Sequence, residues 1–360
     1  MRPETLLAAA LVGLLAACGT PPMPERGAHS LAAPQSEFAG LEAFIRQEMA
    51  ATGVPGLSLA IIRDGEIVYH GAFGVREAGT GDPVTTDTLF EAASLSKPVF
   101  AYFVMLQAEQ GLLDLDRPLH QYWPHPDLAG EVWSRQLTAR MVLAHSSGLP
   151  NWRSDTGGEL RFLFQPGTAY GYSGEAYEYL KDALKHVLDV DDDGLQALFD
   201  AQVTEHAGAG FVRFTWDDSI PARKAFGHRH GEPTDNDRHD HNFGASYSLN
   251  TTALDYARLL TVLLRPDAAR AGAVERLLAI QSAMPAEAGE LHRSLGFPVR
   301  LTGRGLRYFH SGNNGDFRAY CHFYPESGDG VVMFGNSDGV FASGLASRIV
   351  EYLGDEWFYV

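Results

Sequence analysis

Strand-like sequence is concentrated at the two ends of this chain, and that distribution constrains the fold more than any other feature. Near the start, GLSLAIIRDGEIVYHGAFGV holds two strand-like runs around Arg63-Asp64-Gly65-Glu66. Asp-Gly between apolar runs is a strong hairpin signal. Near the end, LRYFHSGNNGDFRAYCHFYPESGDGVVMFGNSDGV breaks into short apolar runs split by Gly, Asn, Asp and Pro, which suits antiparallel strands. Roughly residues 120–285 between them read mostly as helices and loops. The expectation is one sheet built from both ends of the chain, with a helical insertion.

Helical periodicity fills in the rest. Phe38, Leu41, Phe44, Ile45 and Met49 share one face of a predicted helix. A long apolar segment from Ser94, ending near Gly111, reads as a buried helix, and ASGLASRIVEYLGDEW closes the chain with a helical period. Only two cysteines are present, Cys18 and Cys321, so the fold rests on its core rather than on staples. No internal repeat is evident.

The first residues address location. After Met1-Arg2-Pro3-Glu4-Thr5, LLAAALVGLLAAC is a short apolar run ending in small residues, the layout of a bacterial export signal and too short to span a bilayer comfortably. Leu15-Ala16-Ala17-Cys18 resembles a lipoprotein processing site, which makes Cys18 the lipidated first residue of a mature chain. The alternative is an ordinary secretory signal containing a cysteine. Gly19 suits an outer-membrane anchor facing the periplasm. Residues 18–37, rich in Pro, Ala, Ser and Gly, read as a flexible tether, and residues 38–360 as the folded domain. The net charge of -17 and the lack of a basic cluster argue against nucleic acid and anionic lipid surfaces as partners.

The chemistry centres on EAASLSKPVF. Ser94 and Lys97 lie three apart at a predicted helix start, so their side chains project from one face. A serine hydroxyl needs a base within hydrogen-bond reach, and a lysine serves if burial or a nearby cation lowers its pKa. Free N–H groups at a helix start can hold a developing negative charge. This is the only Ser-x-x-Lys in the chain.

Ser94-Leu95-Ser96-Lys97 resembles the first motif of the serine beta-lactamase and penicillin-binding protein superfamily. Further stretches resemble its class C-like branch, which includes esterases and D-amino-acid peptidases. MVLAHSSGLPN (141–151) looks like a connecting segment of that branch, and QPGTAYGYSGEAYEYL (165–180) like its second motif, with Tyr172-Ser173-Gly174 in the Tyr-Ser-Asn slot. FGASYSLNTTALDYARLL (243–260) resembles a common helix entry, and His310-Ser311-Gly312 fills the third motif. The resemblance covers roughly residues 38–355 in the right order. It implies an α+β, beta-lactamase-like fold: an antiparallel sheet flanked by helices (about 38–118 and 285–360) and a mostly helical part (about 119–284), with the active site between. It also implies an acyl-enzyme on Ser94, activation by Lys97 and Tyr172, an oxyanion hole from the backbone N–H groups of Ser94 and Asn313, and a substrate site of Ser173, Gly174, His310, Ser311 and Gly312. Neither a metal nor another cofactor is implied.

Two departures bear on substrate. Gly174 replaces an asparagine whose amide holds the acyl amide of a beta-lactam, and His310 replaces a lysine, exchanging a permanent cation for a group expected to titrate near neutrality. Both favour an esterase over a beta-lactamase. A D,D-peptidase or D-aminopeptidase acting on cell-wall material is the alternative. A catalytically inactive ligand-binding lipoprotein is a third reading, disfavoured by intact Ser94, Lys97, Tyr172 and Gly312. Elsewhere, His228, His230, His239 and His241, with Asp235, Asp237 and Asp240, could bind zinc or copper, but a polar loop or hairpin is favoured because no helical His pair or cysteine accompanies them. Asp189, Asp191, Asp193 and Gly194 superficially match a calcium loop, although Asp200 stands at its twelfth position, and an acidic turn capping a helix is favoured.

Overall fold

The Asp-Gly signal becomes a two-residue hairpin in the computed structural model, which describes residues 38–234, 241–284 and 291–359. Strands β1 (Gly56–Arg63) and β2 (Glu66–Gly74) pair antiparallel. Asp64 (φ 56°) and Gly65 (φ 79°) both adopt the left-handed backbone that matches the twist of a tight hairpin. Six further strands follow late in the chain: β3 (Ser282–Met284), β4 (Leu291–Arg293), β5 (Pro298–Thr302), β6 (Gly305–Asn313), β7 (Arg318–Tyr324) and β8 (Asp329–Gly335). The eight make one antiparallel sheet in the order β2-β1-β8-β7-β6-β5-β4-β3. The two ends of the chain meet where β1 pairs with β8, from Leu57 opposite Gly335 to Ile62 opposite Gly330. The α+β class and the sheet built from both ends are therefore as expected.

Alternation along β1 serves two cores. Leu57, Leu59 and Ile61 pack beneath α1 (Ala39–Thr52) and the C-terminal helix Leu345–Tyr352, while Ala60 and Ile62 enter the larger core on the other face. Helix α1 buries Leu41, Ile45 and Met49, the positions its period predicts, and stops at Gly53, whose N–H bonds to the Met49 carbonyl. On the inner side lie α2 (Ser96–Glu109), α3 (Ala139–Leu143), α4 (Gly174–Leu188), α5 (Asp192–Phe199), α6 (Ala253–Leu264) and α7 (Ala271–Leu278). Helix α2 is buried from Ser96 to Gln107, as its all-round apolar sequence requires. Helix α6 packs on β1 and β8, and α7 packs on α2, so both belong with the sheet although sequence order places them in the helical part. A small ribbon pairs Phe90–Glu91 and Val212–Arg213 with Asn250–Thr251, tying the approach to Ser94 to the middle of the chain.

The acidic turn is a pair of helix ends. Asp189 (φ 53°) terminates α4, Asp191 accepts the Gly194 N–H at 2.9 Å to cap α5, and Lys185 pairs with Asp192 at 2.7 Å. In the histidine-rich stretch, His228 is committed to the fold: one ring nitrogen accepts the Ala78 N–H and the other donates to the Asn336 carbonyl, each at 3.0 Å. His239, Asp235, Asp237 and Asp240 lie outside the described residues, as do Cys18, the leader and the tether. Among the described residues no group of three or more His, Cys, Asp or Glu is placed to hold a metal ion, and no helix is long and apolar enough to cross a membrane.

Candidate active site

Ser94 sits in a 3-10 turn, Ala93–Leu95, that leads directly into α2. Ala93 before it is left-handed (φ 51°), a conformation an alanine holds only where its surroundings over-determine it. They do so here. Ala92 N–H bonds to the Leu249 carbonyl at 2.8 Å, Tyr256 Oη donates to the Leu95 carbonyl at 3.1 Å, and Ser96 Oγ donates to the Ala93 carbonyl at 2.6 Å.

One helical turn on, Lys97 is fully buried. Its Nζ donates to Ser94 Oγ at 3.3 Å and to the Ser246 carbonyl at 2.8 Å. It also lies 4.7 Å from the centre of the Tyr172 ring and 5.8 Å from that of Tyr177. Ser246 is fixed in turn by Glu178 of α4, whose Oε1 accepts its N–H at 2.9 Å and its hydroxyl at 2.6 Å. Burial pushes the Glu178 carboxyl up from its ordinary range, against the pull of Lys181 and these bonds. Glu178 thus reaches Lys97 through Ser246.

The third motif arrives on β6. Alternation puts Tyr308, His310 and Gly312 on one face of the strand, and Tyr308 enters the core that α2 shares. A Cβ on Gly312 would lie 2.5 Å from the Ala92 carbonyl oxygen and 3.1 Å from Ala93 Cβ. This glycine therefore lets the strand approach the turn that carries Ser94. Asn313 follows at the exposed end of β6, opposite Arg318. The next residue is anchored: Asn314 Nδ2 donates to Glu91 at 2.6 Å, and Glu91 pairs with Lys224 at 3.0 Å, both ends of that pair being buried. The segments bearing the expected oxyanion donors, the amides of Ser94 and Asn313, are in this way held side by side. Ser311 is buried in the same strand.

One expectation is corrected. His310 does not titrate near neutrality: burial first, then Arg293 and Lys97, hold its pKa well below the ordinary imidazole value. It stays neutral, with Nδ1 donating to the Ser311 carbonyl at 2.7 Å. Ser173, expected in the substrate site, has its hydroxyl committed within the fold. Its hydroxyl donates to the Pro150 carbonyl at 2.7 Å and accepts the Ala176 N–H at 3.0 Å as the N-cap of α4, with no surface exposed. Beside it, Gly174 has the Trp152 indole where a side chain would go: a Cβ there would lie 2.9 Å from Cη2 and 3.0 Å from Cζ3. Trp152 stands edge-on to Tyr247 at 5.9 Å, next in sequence to Ser246.

The sequence reading singled out none of Ser246, Glu178, His145, Trp152 or Arg293. The first three lie inside stretches whose resemblance was recognised, so position within them was the available signal. Arg293 gave none. It is fully buried on β4, and none of the described residues offers its guanidinium nitrogens a hydrogen bond.

A sequence model of the beta-lactamase family matches residues 41–353. The chain is 33% identical to esterase EstB of Burkholderia gladioli over 124 residues, 34% of this chain and 31% of that one. It is 23% identical to a beta-lactamase of Yersinia enterocolitica over 337 residues, 79% of this chain and 83% of the relative. Among solved structures, the octameric penicillin-binding protein homologue from Pyrococcus abyssi superposes with a TM-score of 0.74 at 23% identity, covering 89% of this chain and 78% of that one. The D-alanine carboxypeptidase AmpC from Burkholderia cenocepacia gives 0.72 at 22% identity, covering 87% and 99%.

Proposed function

The chain belongs to the beta-lactamase family of serine hydrolases, and from that premise we propose that it is an exported esterase for substrates with apolar acyl groups, working through an acyl-enzyme on Ser94. One observation carries the mechanism: the buried Lys97 Nζ touches Ser94 Oγ at 3.3 Å while lying 4.7 Å from the Tyr172 ring centre. Ser94 Oγ attacks the acyl carbon as its proton passes to the Lys97–Tyr172 pair, and that pair returns a proton to the departing alcohol. Water then attacks the acyl-enzyme, giving one proton to the same pair, and Ser94 regains its proton as the acid leaves. The backbone N–H groups of Ser94 and Asn313 receive the oxyanion; losing one such donor typically costs about 3 kcal/mol of transition-state stabilisation. The reaction calls for no cofactor.

The substrate preference rests on Gly174 and Trp152. Where an amide side chain would grip an acyl amide, this chain presents an indole, 36% exposed and packed on the glycine. An apolar acyl group gains from that wall, whereas an amide loses a hydrogen bond. A neutral His310 supplies no cation at the third motif for a substrate carboxylate. The name of one relative, an esterase, points the same way.

The test uses the full-length chain and its Ser94→Ala variant on p-nitrophenyl butyrate. Turnover that disappears in the variant is expected. Cephalosporin or D-alanyl peptide turnover without ester cleavage would reverse the assignment, and turnover surviving in Ser94→Ala would end it. Trp152→Ala is expected to lower kcat/KM for the butyrate ester more than for the acetate. Export rests on the apolar leader and Cys18, which we place under an outer-membrane lipid anchor followed by Gly19. An unmodified N-terminal peptide in the mass spectrum of membrane-extracted protein would remove that part.

A further inference from the structure

Tyr172 is held between two backbone amides that end on one residue. The N–H of Gly171 donates to the His145 carbonyl at 2.8 Å, and the N–H of Ser173 donates to His145 Nδ1 at 3.1 Å. The imidazole also stacks on the Tyr172 ring, with centroids 4.3 Å apart and planes inclined by 24°. Main chain before the phenol, main chain after it and the phenol ring itself thus all meet His145. We infer that His145 is a positioning residue of the catalytic centre, clamping Tyr172 in the orientation it needs for proton transfer; this rests on the reading of Tyr172 given above.

The clamp has specific chemical requirements. His145 lies just beyond α3 with a left-handed backbone (φ 54°), and from there its carbonyl and its ring both reach residues 171–173. Non-glycine residues rarely adopt that conformation, so its presence at a fully buried site needs a reason. Nδ1 must accept, so the ring is neutral with its hydrogen on Nε2. Protonation would place a second donor against the Ser173 N–H and open the clamp. Burial first, then the nearby cations Arg293 and Lys97, hold the His145 pKa well below its ordinary value, which favours the accepting form. Among the described residues none offers Nε2 a hydrogen bond, so the contacts that fix the ring are its stacking on Tyr172 and its Nδ1 bond. A histidine kept only to fill the core would have no need of a left-handed backbone.

The experiment compares wild type, His145→Asn, His145→Gly, Tyr172→Phe and the double variant His145→Gly/Tyr172→Phe, all in the full-length chain on p-nitrophenyl butyrate. Asparagine tolerates the left-handed backbone and offers an oxygen near the Nδ1 position; glycine tolerates the backbone and offers nothing. His145→Asn is expected to retain most of kcat. His145→Gly is expected to lose about 100-fold in kcat with KM little changed, the scale on which misplacing a catalytic group acts. Added to Tyr172→Phe, His145→Gly should have no further effect, because the residue it positions is already disabled. A merely structural role would lower kcat by the same factor in both backgrounds and would track the loss in Tm, and that result overturns the proposal. Wild-type kcat in His145→Gly overturns it as well. Wild-type kcat in Tyr172→Phe instead removes the role of Tyr172, and the clamp with it.

Discussion

Replacing Gly312 by alanine adds one methyl group and should disable the enzyme. The backbone at this position is not left-handed, so alanine meets no conformational barrier there, and the effect comes from contact alone. The new Cβ would lie 2.5 Å from the Ala92 carbonyl oxygen and 3.1 Å from the Cβ atoms of Ala93 and Ala319. A carbon and a carbonyl oxygen in contact sit at about 3.3 Å, so β6 and the Ser94 turn must separate by about 0.8 Å. Neither partner is a flexible side chain, so no tip can swing aside. Overpacking of this kind costs about 1–3 kcal/mol of stability. Its larger consequence is geometric, because the two segments being separated carry the Ser94 and Asn313 amides, and displacement near 1 Å lowers turnover by about 100-fold. The assay is kcat on p-nitrophenyl butyrate beside Tm by thermal denaturation. Gly330→Ala serves as the control: its Cβ would lie 3.1 Å from the His322 carbonyl oxygen, elsewhere in the same sheet. Loss of Tm with normal kcat is expected for Gly330→Ala, and loss of kcat well beyond the loss of stability for Gly312→Ala. A Gly312→Ala enzyme with wild-type kcat would refute the role given to this approach.

Further outcomes follow from the same geometry. Lys97→Ala should lower kcat by about 10³-fold, within the usual range for an acid–base group, with Ser94 still present but without its buried neighbour; steady-state kinetics at high enzyme concentration reads the residual rate. His70 makes folding acid-sensitive. Burial pushes its imidazole from 6.5 down to about 4, so between those values the unfolded chain binds the proton and the folded chain does not. Stability from this group is complete above about pH 6.5 and falls as pH drops toward 4, by about 3 kcal/mol in all. Urea midpoints should therefore fall less steeply with acid in His70→Leu than in wild type; parallel slopes would remove His70 as the cause.

Much of this architecture is legible in the sequence because it depends on local chemistry. Asp64-Gly65 can hardly be anything but a tight hairpin turn, and the spacing of Leu41, Ile45 and Met49 fixes the buried face of α1. The Ser94–Lys97 pair is similarly local, one helical turn apart. The unread parts depend on contacts distant in sequence. Gly174 is recognisably a missing side chain, but that Trp152 occupies its place is set by the fold of residues 150–152 against the start of α4. Ser173 looks like a substrate residue in a motif and is a helix cap, because a serine one position before a helix satisfies the same pattern. His310 reads as a titrating group until its burial is known. Helices α6 and α7 read as part of a helical insertion because sequence order carries no record of which face they cover.

Arg293 is the strongest example of what sequence order hides, and it permits one more prediction. The motif lysine is absent, His310 in its place is neutral, and the fixed positive charge acting on His310 and His145 together with Lys97 is Arg293, from the neighbouring part of the sheet. A buried guanidinium that finds no hydrogen bond among the described residues is costly, by about 1–3 kcal/mol on the scale of unsatisfied buried polar groups. Methionine, unbranched and apolar, fits a similar volume without that cost, so Arg293→Met should raise Tm. The same change removes a cation that opposes protonation of both imidazoles. Their pKa values should rise, though burial, the largest cause, still keeps them depressed. The acid limb of the kcat profile should then move to higher pH in Arg293→Met, because His145 loses its acceptor sooner as pH falls. A variant that is less stable than wild type, with an unmoved acid limb, would mean that Arg293 has a counter-charge and no electrostatic reach into the site.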